Sequence, residues 1–138
     1  MTQRAPVNLL RQRWLSALRN RRYKQSNERL LTHESASRAK PDAKHPAGHC
    51  ALGVMCEVYF TFHPEWGWSL PGEAKERAIE PSRDIPPPAI LEAFRVPSGF
   101  AYDLARMNDR GYSFKRLADH LEAVWARESP PDEANQLT

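Results

Sequence analysis

The chain has 138 residues, 41% of them hydrophobic and 27% charged, with 12 prolines, which suits one packed core and is too short for two ordinary domains. No apolar run approaches the roughly 18 residues that a membrane span needs, the basic N-terminus lacks a signal-peptide core, and two cysteines make no disulfide framework, so a cytoplasmic setting is expected. Residues 1–50 hold eleven Lys/Arg against three Asp/Glu, a balance of +8, whereas residues 51–138 hold nine against fourteen, a balance of −5, and this asymmetry suggests an anionic partner for the first half unless the halves neutralise each other.

Residues 1–7 read as a flexible start, followed by a single helical domain over 8–127. Asn8 can cap a helix over about Leu9–Arg22, with Leu10, Trp14, Ala17 and Leu18 on one face. Between Met1 and Lys24 there are seven basic residues and no acidic one. Arg11, Arg13, Arg19, Arg21, Arg22 and Lys24 therefore form the candidate surface for nucleic acid or another partner. The competing reading has these arginines solvated or paired with the acidic half.

Thr32–His49 is poor in large apolar residues and predicts an exposed loop. Cys50–Phe62 is strongly apolar with an ambiguous period. Leu52, Val54, Cys56, Val58, Phe60 and Phe62 alternate as in a strand, while Leu52, Met55, Cys56, Tyr59 and Phe60 fit a helix. His63-Pro64 closes this stretch. A short hairpin is expected near Thr61–Leu70, followed by a short helix around Glu73–Ile79. Trp66 and Trp68, flanking Gly67, are candidate anchors for a protein partner, or the lid of the core.

Pro86-Pro87-Pro88 leads into a helix over Ala89–Arg95, with Pro87 or Pro88 in its first turn. Ser98 is placed to cap Gly99–Met107. Asn108-Asp109-Arg110-Gly111 is a turn with Gly111 in a left-handed conformation. Ser113 caps the last helix, Phe114–Arg127, whose stripe is Phe114, Leu117, Ala118, Leu121, Val124 and Trp125. Residues 128–138 read as a disordered tail.

The chemistry-bearing residue types form no compelling constellation. His45, His49, Cys50, Cys56 and His63 fall within nineteen residues and offer zinc-type ligands, yet the usual paired spacings are missing. No phosphate loop, nucleophile elbow or telling acid pair is present, so no catalytic residue and no cofactor is expected. Gly111-x-Ser113-Phe114-x-x-Leu117-Ala118-x-x-Leu121 is similar to the opening helix of a helix-turn-helix, but no recognition helix follows it.

Three segments together resemble a family of small uncharacterised phage and prophage proteins of actinobacterial type. They are Trp14-x-x-Ala17-Leu18-Arg19-x-x-x-Tyr23-x-Gln25, Cys50-Ala51-Leu52-Gly53-Val54-Met55-Cys56-Glu57, and the run from Leu104 and Asn108-Asp109 through Gly111, Ser113-Phe114 and Leu117-Ala118 to Leu121-Glu122. Pro87-Pro88-x-Ile90 is similar to a further step of that pattern. The chain departs from it at Ala51, where a second cysteine is common, and at Asn20-Arg21, where Ser-Gly is common. The resemblance implies helix over residues 50–59 and carries no activity. The expectation is a mainly α, compact accessory protein that binds nucleic acid, a nucleoprotein complex or a host or phage protein. Inhibition of a host defence or transcription complex and a small structural zinc module are the alternatives.

Overall fold

The computed structural model describes residues 6–20, 22–26, 29–32, 48–70 and 76–128. Those residues form a small, compact, mainly α domain with short strand pairs. The expected hydrophobic stripes assemble it. Helix α1 (Val7–Arg19) turns Leu10, Trp14, Ala17 and Leu18 inward. Helix α5 (Phe114–Arg127) buries Phe114, Leu117, Ala118 and Leu121, with Val124 and Trp125 half-buried farther along.

Helix α2 (Ala51–Phe62) buries Leu52, Val54, Met55, Cys56, Val58 and Tyr59 and so presents no polar stripe. A helix apolar all round belongs at the centre of a core. Both α1 and α4 (Ser98–Asp109) pack on it, and α5 packs on α1 and α4. Trp14 is fully buried, edge-on to Phe94 at 5.6 Å, and its indole Nε1 donates to the Ala51 carbonyl at 2.9 Å. No helix among the described residues is long and apolar enough to cross a membrane.

Two small sheets flank the helices. In the first, β3 (Gly48–His49) lies between β1 (Lys24–Gln25), to which it is parallel, and β2 (Leu31–Thr32), to which it is antiparallel. In the second, β4 (Trp66–Trp68) runs parallel to β5 (Arg77–Ile79) in the register Trp66↔Arg77, Gly67↔Ala78, Trp68↔Ile79. The remaining helix, α3 (Pro88–Ala93), has Pro88 in its first turn as expected.

Several sequence expectations are corrected. Pro6, not Asn8, stands at the N-cap of α1, and the helix ends at Arg19 because the Asn20 side chain takes the Arg22 amide in a local turn. Pro97 likewise takes the cap position of α4 and moves Ser98 into the helix. The loop expected over Thr32–His49 is bounded by strands, with Gly48 and His49 buried; residues 33–47 lie outside the described residues.

No hairpin forms over Thr61–Leu70. Thr61 and Phe62 finish α2, and the His63-Pro64-Glu65-Trp66 turn, closed by Trp66 N–H on the His63 carbonyl at 3.0 Å, passes from helix to strand. The helix expected around Glu73–Ile79 gives way to β5, because Arg77 donates its amide to the Glu65 carbonyl and pairs with β4; residues 73–75 lie outside the described residues. Helix α4 runs on through Asn108 and Asp109, both expected in the turn, because its backbone ladder continues to Arg110, so the turn is confined to Arg110-Gly111. Gly111 has φ +97° and the Ser113 hydroxyl accepts the Arg116 amide, as expected. Glu128, placed in the tail by the sequence, is bound to α1; residues 129–138 lie outside the described residues.

Candidate functional site

The arginines of α1 divide into two groups. Arg11 is drawn into the body of the domain. Its Nε donates to the Phe94 carbonyl at 3.0 Å, Nη2 to the Arg95 carbonyl at 3.2 Å, and Nη1 to Glu128 at 2.9 Å. The guanidinium lies 4.3 Å from the Trp125 ring centroid and its side chain is only 13% exposed. Arg19 reaches across to α5 and meets Asp119 at 2.8 Å and Glu122 at 3.2 Å. Hydrogen bonding to Glu122, then Asp119, holds its pKa above the ordinary arginine value.

The charge asymmetry of the sequence is thus partly resolved inside the molecule, where Arg11 and Arg19 tie α1 to the acidic half. Arg13, Arg22 and Lys24 are exposed, and among the described residues none of them meets a carboxylate. Arg22 leans over the Tyr23 ring at 5.8 Å. Arg21 lies outside the described residues.

Burial separates the two ties energetically. Arg11→Ala is expected to cost about 1–3 kcal/mol, because it leaves the part-buried Phe94 carbonyl without its donor and empties the space beneath Trp125. Arg19→Ala, an exposed pair, is expected to cost under about 1 kcal/mol and less still in high salt. Urea unfolding of both variants at two salt concentrations measures the contrast.

The zinc-type residues are dispersed. Among the described residues, no three His, Cys, Asp or Glu side chains are grouped to hold a metal ion; His45 lies outside them. His49 is buried, with Nε2 2.7 Å from Glu57 Oε2 and the Tyr23 ring edge-on at 4.8 Å. Burial, and then the Glu57 charge, raise the Tyr23 pKa. Cys50 stands at the N-cap of α2, where burial pushes its thiol up to about 11 against the Gly53 and Leu52 amides. Cys56 is fully buried and raised as well, by desolvation and then by Cys50. Both thiols are protonated and poor nucleophiles at neutral pH. His63 stacks on Tyr59 at 4.3 Å and faces Glu65 at 3.7 Å.

The motif segments that carry the phage-type resemblance meet in the interior. Asn108 Oδ1 accepts from Gln25 Nε2 at 3.0 Å and from the Ala51 amide at 3.2 Å, while its Nδ2 donates to the Ser26 carbonyl at 2.7 Å. Gln25 in turn donates to the Tyr112 carbonyl at 2.7 Å and accepts the Phe114 amide at 3.2 Å. These residues hold the fold together rather than face a ligand. No family model, curated protein or solved structure matches the chain.

The surface feature that the sequence did not mark is a cleft of about 870 Å³ between the start of α1, the end of α2, β4–β5 and α3. Trp66 is half-buried in its wall, edge-on to Tyr59 at 5.6 Å, with the Arg77 guanidinium 5.5 Å from its ring centroid. Trp68, the other proposed anchor, is buried against Phe60 at 5.2 Å and belongs to the core. Glu65, Glu76 and Glu92 line the cleft along with Arg77 and Arg95.

Arg95 has an unusual backbone. Its φ is +52°, a left-handed conformation that costs a residue with a Cβ about 1–2 kcal/mol. The helix terminus explains it: Val96 N–H returns to the Leu91 carbonyl and Arg95 N–H to the Glu92 carbonyl, a Schellman ending for α3 sealed by buried Leu91 and Val96. Glycine is the usual residue at that position, and an arginine there is held out at the rim of the cleft.

Proposed function

We propose that this chain is a non-enzymatic accessory protein of the phage type that holds a segment of a partner protein in the cleft beside α3. The observation that carries this reading is the cleft itself, a preformed concavity with a half-exposed tryptophan and charges of both signs. Aromatic side chains backed by packed neighbours are the usual anchors of protein interfaces. Three carboxylates against two guanidinium groups disfavour a polyanion and suit a polypeptide, which offers donors, acceptors and apolar groups together. The internal pairing of Arg11 and Arg19 weighs in the same direction, since it removes two cations from the surface that nucleic acid would have used.

Affinity capture from a host lysate, with and without nuclease, tests the proposal. The expected result is one protein partner recovered equally under both conditions and lost with Trp66→Ala, while Arg13→Ala leaves it in place. Recovery that disappears with nuclease and with Arg13→Ala or Lys24→Ala would instead favour binding of nucleic acid by the exposed cations. Salt titration adds an independent readout, because phosphate contacts weaken steeply with ionic strength whereas a mostly apolar anchor does not.

A further inference from the structure

A second concavity adjoins the first. On the far side of α3 a groove of about 650 Å³ is floored by Ile85, Leu91 and Val96 and walled by Pro86, Pro88 and Pro97. Arg83 and Arg95 stand on its rim, with Glu92 as the single lining carboxylate. Among the described residues neither guanidinium meets a carboxylate, and the Nε of Arg83 donates to the Ile85 carbonyl at 3.0 Å. Arg95 lines both concavities and so marks the ridge between them.

We infer that this groove receives an acidic and apolar peptide segment of the partner protein: a Leu-, Ile- or Phe-sized side chain on the floor, with a neighbouring Asp or Glu carboxylate taken by Arg83 and Arg95. The inference rests on the docking reading given above and names the chemistry of what docks. Charge complementarity carries it. The cleft on the other side of α3 has three carboxylates to two guanidinium groups, whereas this groove has one to two. A carboxylate is the polypeptide group that a guanidinium pair binds best, with charge-assisted and forked hydrogen bonds.

The walls bear on affinity too. Proline side chains and a sealed helix ending have little conformational freedom to lose, so the groove is shaped before anything enters it. Arg95 fits the same picture. At a backbone position where glycine is free of strain, the Schellman ending sets where the Arg95 side chain leaves the backbone, at the groove edge.

Selection from a random peptide library displayed against the immobilised full chain tests the inference. The expected result is enrichment of peptides with Asp or Glu beside Leu, Ile or Phe, whose affinity falls roughly tenfold or more in Arg83→Gln and again in Arg95→Gly. Arg95→Gly relaxes the left-handed backbone, so its melting temperature should hold or rise, and a loss of affinity there is not a loss of fold. Arg83→Lys keeps the charge without the fork and should recover part of the affinity lost in Arg83→Gln.

Enriched peptides that are basic or uncharged would overturn the inference, as would peptides indifferent to both arginines. Peptides lost with Trp66→Ala but unaffected by Arg83→Gln would leave the cleft as a docking site and remove the groove. A selection that enriches nothing would remove both.

Discussion

Gly53→Ala should lower the stability of the domain by about 3 kcal/mol, roughly 10 °C in melting temperature, although it adds one methyl group to a helix. In an exposed helix the same change is stabilising, because alanine is the better helix former. Here α2 passes so close to the segment before β2 that a Cβ on Gly53 would overlap the carbonyl group of Leu30. Leu30 has no room to yield. Its side chain is fully buried, and its amide donates to the Arg83 carbonyl at 2.9 Å. Relief requires prising β2 from α2, which opens a gap in the core as it removes the clash.

Gly99 supplies the internal control. A Cβ there meets nothing within 4 Å, and the residue lies in the first turn of α4. Gly99→Ala is therefore expected to raise stability by about 0.5–1 kcal/mol. Thermal and urea unfolding of the two variants side by side checks both signs. Equal effects would mean that α2 and the Leu30 segment are not in the contact described.

The same helix shows why part of the fold was legible in sequence and part was not. The stripes of α1 and α5 were readable because each helix has one face in solvent, and water-facing positions break the apolar pattern at helical period. Residues 51–62 have almost no such positions, so alternation and helical spacing were satisfied at once; the period of a buried element is not written in its polarity. The parallel β4–β5 pair escaped for a different reason. Three-residue strands carry too few alternations to register, and their partners are set by tertiary packing rather than by a local turn.

At the candidate site the residue types were visible but their partners were not. Arg11 and Arg22 look alike in a list of basic residues. One is folded beneath Trp125 and bound to Glu128, 117 positions away, and the other is exposed. Charge asymmetry along a chain says how much neutralisation is available, and only the packing of α1 on α5 says where it is used. The cleft and the groove beside α3 were invisible because concavity arises between elements, and the proline run announced a rigid connector without telling what it would wall.

Asn108→Ala is expected to be the other large loss, about 4 kcal/mol, for a side chain that touches no candidate ligand surface. The physical reason lies at the helix ends. The first amides of a helix have no partners within it, and the N-cap residue of α2, Cys50, offers only a weakly accepting thiol and no capping hydrogen bond. Asn108 caps it from α4, accepting the Ala51 amide, and Gln25 does the same for α5 through the Phe114 amide. The two amides then bond to each other, so β1, α2, α4 and α5 are joined at one buried point. Removing Asn108 leaves the buried Ala51 amide and the part-buried Ser26 carbonyl without these partners, and a group so stranded costs on the order of 1–3 kcal/mol.

Asn108→Asp distinguishes this account from a simple loss of packing, because it keeps the volume. A carboxylate can still accept from Gln25 and Ala51 but cannot donate to the Ser26 carbonyl, and it places a charge in the core. Burial should raise its folded-state pKa above that of the unfolded chain. The protonated acid restores the donor, so the variant should be most nearly native below the unfolded carboxyl value of about 4 and lose stability as pH rises through the folded value. A double-mutant cycle with Gln25→Ala should show coupling of roughly 1–2 kcal/mol. A variant whose stability is flat with pH, or a cycle without coupling, would mean that the amide pair does not join these elements.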